Sequence, residues 1–200
     1  VPFDEITRIP PGVDAPTAGD PAAGHALAGT TRYVLALGTV EPRKNLPVLV
    51  EAFDQLAEDD PDVRLVIAGP SGWGAEALER AVGTARASDR IHRLGWVSGS
   101  QRVDLLAGAT AFAYPSVYEG FGFPPLEAMQ LGIPVVAGDA GALPEVLGDA
   151  ALLTDPLDVD SLATALYDLF ENTALRDRLV TAGHERVRRY TWDAAATAFT

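Results

Sequence analysis

Two cations and two carboxylates stand out by type and spacing. Arg43 and Lys44 are adjacent in "LGTVEPRKNLPVLVEAF" (37–53), and Lys44 is the sole lysine of the chain. Glu119 and Glu127 lie eight residues apart in "PSVYEGFGFPPLEAM" (115–129). The amino end of a helix favours acids, so two cations just ahead of the helical run that begins at Leu46 go against the local preference. Asn45 is a candidate N-cap for that helix. Free backbone N–H groups beside two cations make an anion site, above all for phosphate. The plainer alternative leaves both side chains in water or paired with Glu41.

In the second stretch Gly120 and Gly122 break any helix between the glutamates and let a ligand approach the backbone. Pro124 and Pro125 suit a helix start, which puts Glu119 on the loop and Glu127 in the first turn. The plain readings are a loop carboxylate in water for Glu119 and a surface glutamate complementing the dipole for Glu127. "GDAGALPEV", with Asp139 and Glu145, serves equally well as a turn and helix cap. Trp73 and Trp96 each follow a strand and read more readily as core or rim residues than as stacking platforms. His25, His92 and His184 lack metal-ligand spacing, and Asp158 and Asp160 read as the start of a late helix, so no metal site is expected. The loop after the first strand is neither a G-x-G-x-x-G turn nor a P-loop.

These loops need elements to position them. From residue 32, short apolar runs alternate with amphipathic ones. "RYVLALG", "VRLVIAG", "IHRLGWV", "ATAFAYPS", "IPVVAG" and "AALLTD" read as strands. "NLPVLVEAFDQLAED", "GAEALERAVGTARA", "GSQRVDLLAG", "PPLEAMQLG" and "ALPEVLG" read as helices between them. Three helical segments follow: "DVDSLATALYDLFEN", "TALRDRLVTAGHERVRRY" and "TWDAAATAFT". The alternation predicts a Rossmann-like, doubly wound α/β fold: a parallel sheet with helices on both faces. The strand-to-helix loops then share one edge of the sheet, where such folds bind ligands. Residues 1–30 differ. "ITRIPPGVD" reads as a short strand and a turn, and the Pro-, Gly- and Ala-rich stretch after it as a linker or long loop.

The formal net charge of −13 argues against a general nucleic-acid or anionic-membrane binder. The absence of cysteine excludes disulfides and zinc-thiolate sites. No apolar run approaches the ~18 residues of a membrane span, and no signal peptide is visible.

"YEGFGFPPLEAMQLGIPVVAGDAGALPEVLGDAALLTDPLD" resembles the signature region of retaining glycosyltransferases of family 4, which have the GT-B fold. "LALGTVEPRKNLPVLVEAF" resembles the first strand, phosphate-binding loop and helix of their C-terminal domain, in a "PRKN" variant similar to mannosyltransferase-like members. The resemblance implies a domain over 31–190, preceded by an interdomain segment (1–30) and followed by a helical tail (191–200) that returns toward a separate N-terminal domain. It implies that Arg43 and Lys44 neutralise the diphosphate of a nucleotide-sugar, with Gly38 and Thr39 lining the same loop. Backbone from Phe121 through Gly122 to Leu126 approaches the sugar and distal phosphate. Glu127 accepts from the ribose hydroxyls, Glu119 is the catalytic carboxylate contacting the donor sugar, and Trp96 and Val97 contact the base. Many members carry arginine at the position of Thr39, which in this variant shifts phosphate duty to Arg43. No cofactor is implied beyond the GDP- or UDP-linked donor. The implied acceptor is a glycan or lipid-linked sugar in cell-wall or polysaccharide synthesis, with the enzyme cytoplasmic or peripheral at the inner face of the plasma membrane. The acceptor site belongs to the N-terminal domain, so these residues are expected to bind nucleotide without transferring sugar.

Two other classes fit the residues less well. A receiver-like, non-catalytic α/β regulatory module needs an acidic cluster at the first strand ends, where this chain has Gly-Thr and Gly-Pro. A glycosidase using Glu119 and Glu127 needs its carboxylates ~5–5.5 Å apart in the retaining case and leaves the cationic pair unexplained.

Overall fold

A computed structural model describes residues 9–14 and 18–199. The first strand, β1 (Tyr33–Leu37), is buried along its whole length. Its side chains divide by parity: Val34 and Ala36 join the core on one face, Tyr33, Leu35 and Leu37 that on the other. A strand covered on both sides explains the uninterrupted apolar run. The remaining strands are β2 (Arg64–Ala68), β3 (Ile91–Gly95), β4 (Ala111–Tyr114), β5 (Val135–Gly138) and β6 (Leu152–Thr154). Their spatial order is β3-β2-β1-β4-β5-β6, and every pairing is parallel. This is the doubly wound Rossmann-like sheet that the alternation predicts, with its order reversing between β1 and β4. All carboxyl ends of the strands lie on one edge.

One face is covered by α2 (Leu46–Asp59), α3 (Ala75–Thr84) and α7 (Val159–Glu171). The buried stripe of α2 includes Leu46, Leu49, Val50, Phe53 and Leu56, the spacing of a helix face. The other face is covered by α1 (Pro21–Ala28), α4 (Gly99–Gly108), α5 (Phe123–Gln130), α6 (Leu143–Leu147) and α8 (Thr173–Val187). The last helix is α9 (Trp192–Phe199).

Three local expectations are corrected. The stretch read as a loop contains α1, which Asp20 caps by accepting from the Ala22 N–H at 2.9 Å. Its glycine and alanines carry little apolar signal, but Gly24 packs so closely on α4 that a Cβ there would lie 2.1 Å from the Asp104 carbonyl. Of the segment read as strand and turn, residues 6–8 lie outside the described residues. Ile9–Asp14 form no strand, and the segment is held by the Val13 N–H donating to the Tyr190 carbonyl at 2.8 Å. Asn45 stands at the N-cap position of α2 but does not cap it with its side chain. Its φ of 55° is left-handed, a conformation asparagine tolerates, and its Nδ2 donates instead to the Pro156 carbonyl at 2.5 Å. Among the described residues no helix is long and apolar enough to cross a membrane.

Candidate functional site

The loops after β1 and β4 flank the point where the strand order reverses, the usual ligand crevice of such a sheet. They are tied together there: the Val117 N–H donates to the Arg43 carbonyl at 2.9 Å. The β1 loop is also held from its other side. Val40 N–H donates to the Pro70 carbonyl and Gly74 N–H to the Val40 carbonyl, both at 3.0 Å. Gly38 and Gly69 back directly on each other, so that a Cβ on Gly69 would meet the Gly38 carbonyl oxygen at 2.1 Å. The chain then forms a single 3-10 turn, Pro42–Lys44, before α2 begins.

That turn aims Lys44 inward. The lysine is only 8% exposed. Its Nζ donates to Glu119 Oε1 at 2.7 Å and to the Tyr114 hydroxyl at 2.5 Å, and lies 4.3 Å from the Tyr114 ring centroid. Arg43 reaches the same carboxylate oxygen through Nη1 at 2.5 Å, while its Nε donates to Glu41 at 2.8 Å. One oxygen of Glu119 thus sits between both cations. The reading of Glu119 as a carboxylate in water is overturned, since it is 9% exposed. For Arg43 the plain alternative holds in part, because it does pair with Glu41. Lys44 is neither solvated nor bound to Glu41.

The charges adjust to this burial. Desolvation alone would raise the Glu119 pKa, but hydrogen bonding and attraction from Lys44, helped by Arg43, bring it below the ordinary carboxylate value. Desolvation lowers Lys44 despite Glu119. Burial raises the Tyr114 phenol, keeping it neutral. Glu119 is thereby favoured in its ionised form, which suits a hydrogen-bond acceptor and not the raised-pKa acid of a glycosidase.

Glu127 belongs to a second cluster. It is the fifth residue of α5, past the first turn where the prolines were expected to place it, because the helix begins one residue earlier at Phe123 after Gly122 (φ 118°). It is not a free surface glutamate: its Oε2 accepts from Arg102 Nη2. Leu126 is fully buried, and Phe121 meets Phe123 at a tilt and Tyr190 edge-on, with centroids 4.9 and 5.3 Å apart. The Glu119 carbonyl accepts from the Ala142 N–H at 3.0 Å, fixing the loop between the clusters.

Trp96 and Val97 follow β3 and lead into α4, whose first turn is set by a reciprocal Ser98–Gln101 cap. Trp96 is 73% exposed and Trp73 81%, so of the two plain readings, core or rim, the core one is excluded for both. Two members of the site were not picked out from sequence. Tyr114 could have been, because it closes β4 on the ligand edge. Arg102 carried a weaker signal, a lone cation early in a helix with no acidic neighbour at helical spacing in its first turn. Among the described residues no group of three or more His, Asp or Glu could hold a metal ion.

This geometry has relatives. The chain is 37% identical to the O-antigen chain mannosyltransferase B of Escherichia coli over 82% of its own length and 44% of that protein's. It is 34% identical to the phosphatidyl-myo-inositol mannosyltransferase of Mycobacterium tuberculosis over 96% and 52% of the respective lengths. It spans about half the length of these curated relatives. Among solved structures, it matches sucrose-phosphate synthase from Thermosynechococcus elongatus with a TM-score of 0.80 and 27% identity, over 96% of this chain and 51% of that one. The C-terminal domain of a glycosyl transferase group 1 family protein from Francisella tularensis matches with a TM-score of 0.69 and 26% identity, over 78% and 84%. The family model for group 1 glycosyl transferases matches residues 22–186. With that span, this sheet order and these two loops in place, the chain belongs to the group 1 glycosyl transferases.

Proposed function

We propose that these residues form the donor-binding half of a retaining, family 4 hexosyltransferase that takes its sugar from a nucleoside diphosphate. The observation that carries the reading is the paired cation site at the strand-order reversal. Arg43 and Lys44 are fixed on one side of the crevice and share Glu119, which comes from the other. When the bond from the anomeric carbon to the diphosphate breaks, negative charge grows on the departing phosphate. Two cations already in place stabilise that charge without reorganisation, the usual source of large rate effects. Glu119, ionised and anchored, accepts from hydroxyls of the donor sugar. Glu127 accepts from the ribose, backbone from Phe121 to Leu126 flanks the distal phosphate, and the exposed face of Trp96 with Val97 meets the base.

Mannose from GDP-mannose is the favoured donor. The "PRKN" loop and two relatives described as mannosyltransferases support it. The acceptor, a glycan or lipid-linked sugar, binds a further N-terminal domain, and sugar transfer requires that domain. Coverage of about half of the relatives' length supports this division.

Calorimetric titration of the 200-residue chain with GDP and UDP tests the reading. We expect GDP to bind, and both Lys44→Ala and Glu127→Ala to weaken it. A folded wild-type chain that binds neither nucleotide would remove the donor-site assignment, and detectable sugar transfer by these 200 residues would remove the division of labour.

A further inference from the structure

Arg102 is placed where a cation gains little stability. It is the fourth residue of α4, and its own N–H is already spent on the Ser98 carbonyl at 2.9 Å. The amino end of a helix disfavours positive charge. The side chain is 34% exposed, and desolvation lowers its pKa. Its ion pair with Glu127 joins two partly solvated groups, and such pairs contribute between nothing and about 1 kcal/mol. A leucine or glutamine would meet the needs of the helix better.

The placement makes sense at the site. α4 begins directly after Trp96–Val97, and its first turn is locked by the Ser98–Gln101 cap, with Gln101 N–H to Ser98 Oγ at 3.2 Å and Ser98 N–H to Gln101 Oε1 at 3.0 Å. Arg102 follows that lock immediately. It crosses to α5 on the same face of the sheet and takes Oε2 of Glu127. A glutamate on a helix has three rotatable side-chain bonds, and binding a diol requires those bonds to be fixed. The guanidinium fixes the carboxylate through one oxygen and leaves Oε1 for a ligand.

We propose that Arg102 is a positioning residue that presents the Glu127 carboxylate to the ribose diol, and so sets the preference for a ribonucleotide over its deoxy analogues. This rests on the reading of Glu127 as the ribose carboxylate. It requires Arg102 to act on the sugar of the nucleotide and not on its phosphates, which belong to Arg43 and Lys44.

The test is titration of the 200-residue chain with GDP, 2′,3′-dideoxy-GDP and inorganic pyrophosphate, in wild type, Arg102→Leu, Arg102→Gln and Arg102→Lys. We expect Arg102→Leu and Arg102→Gln to weaken GDP by about tenfold, the scale of one well-placed hydrogen bond. Dideoxy-GDP and pyrophosphate should change by less than about twofold on the same scale. Arg102→Lys should recover part of the GDP affinity. Thermal melts accompany each variant, and the glutamine variant carries the test if the leucine one does not fold. Equal losses for GDP and pyrophosphate would mean a structural role and overturn the proposal, as would unchanged GDP binding. Failure of the wild type to bind GDP would overturn the parent reading and this one together, whereas GDP binding with indifferent Arg102 variants would overturn this one alone.

Discussion

The two carboxylates of the site make a natural comparison. Each meets a cation from a distant part of the chain, and each lies at the carboxyl edge of the same sheet. They differ in burial. The side chains of Lys44 and Glu119 are each 10% exposed, against 34% and 23% for Arg102 and Glu127. A buried pair must stay paired, since removing one partner strands the other charge away from water. A half-exposed pair has no such obligation. Under the proposed function, the first pair therefore couples folding to anion binding. The second should be alterable with little effect on folding, which suits the recognition role proposed for it.

Lys44→Ala gives the largest expected effect. It leaves Glu119 with Arg43 as its remaining cation and should destabilise the fold by about 1–3 kcal/mol, read from urea or thermal unfolding. Nucleotide affinity should fall roughly a hundredfold or more. If the fold barely changes, the pair is not obligatory and the contrast with Arg102–Glu127 collapses.

Next is Glu119→Gln, which should move affinity in the opposite direction to Glu127→Gln. Glu119 neutralises the cations that the diphosphate needs, so its loss should tighten GDP on the order of tenfold, while the Glu127 variant should weaken it. Sugar transfer by a longer chain carrying Glu119→Gln should still be lost. Parallel changes in GDP affinity would show that the two glutamates do the same job. Glu119 also predicts an acid limb. Its folded pKa lies below the ordinary glutamate value of ~4.3, so between the two the unfolded chain holds more protons and stability rises with pH. The contribution is complete above ~4.3 and is lost as pH falls through the folded value. Urea midpoints across that window should fall more steeply in wild type than in Glu119→Gln.

The smallest effect is expected from Tyr114→Phe. The ring keeps its stack on Phe112, with centroids 5.9 Å apart, and loses the hydroxyl that accepts from Lys44. We expect about 1 kcal/mol of stability and a few-fold loss of GDP affinity. A loss as large as that of Lys44→Ala would mean that the phenol, and not Glu119, holds the ammonium.

Much of this architecture was legible beforehand, for reasons that differ by element. β1, β2 and β4 read clearly because strands buried on both faces need continuous apolar runs, and α2 because its buried stripe recurs at helical spacing. α1 did not, since its buried positions are Gly24 and Ala28, with only Leu27 as a large apolar neighbour, too little for a detectable stripe. The Asn45 side chain went to a carbonyl 111 residues away, a partner that no local rule can supply. For the tryptophans after β2 and β3 the sequence left core and rim open, because an aromatic following a strand has the same local pattern whether it turns inward or outward.

From β1 onward, the order of strands and helices, the two loops, and residue types suited to an anion were determined by the sequence itself, because periodicity and turn chemistry act over a few residues. Which charges meet was decided only by the tertiary structure. β1 and β4 are neighbours in the sheet while β2, β3 and three helices separate them along the chain. That adjacency brings Glu119 to Lys44 across 75 residues, and the packing of α4 and α5 on one face of the sheet brings Arg102 to Glu127 across 25. It also decides which pair lies deep enough for its charges to depend on each other. Local pattern carries no information about depth, and depth is what separates the buried Lys44–Glu119 pair from the half-exposed Arg102–Glu127 pair.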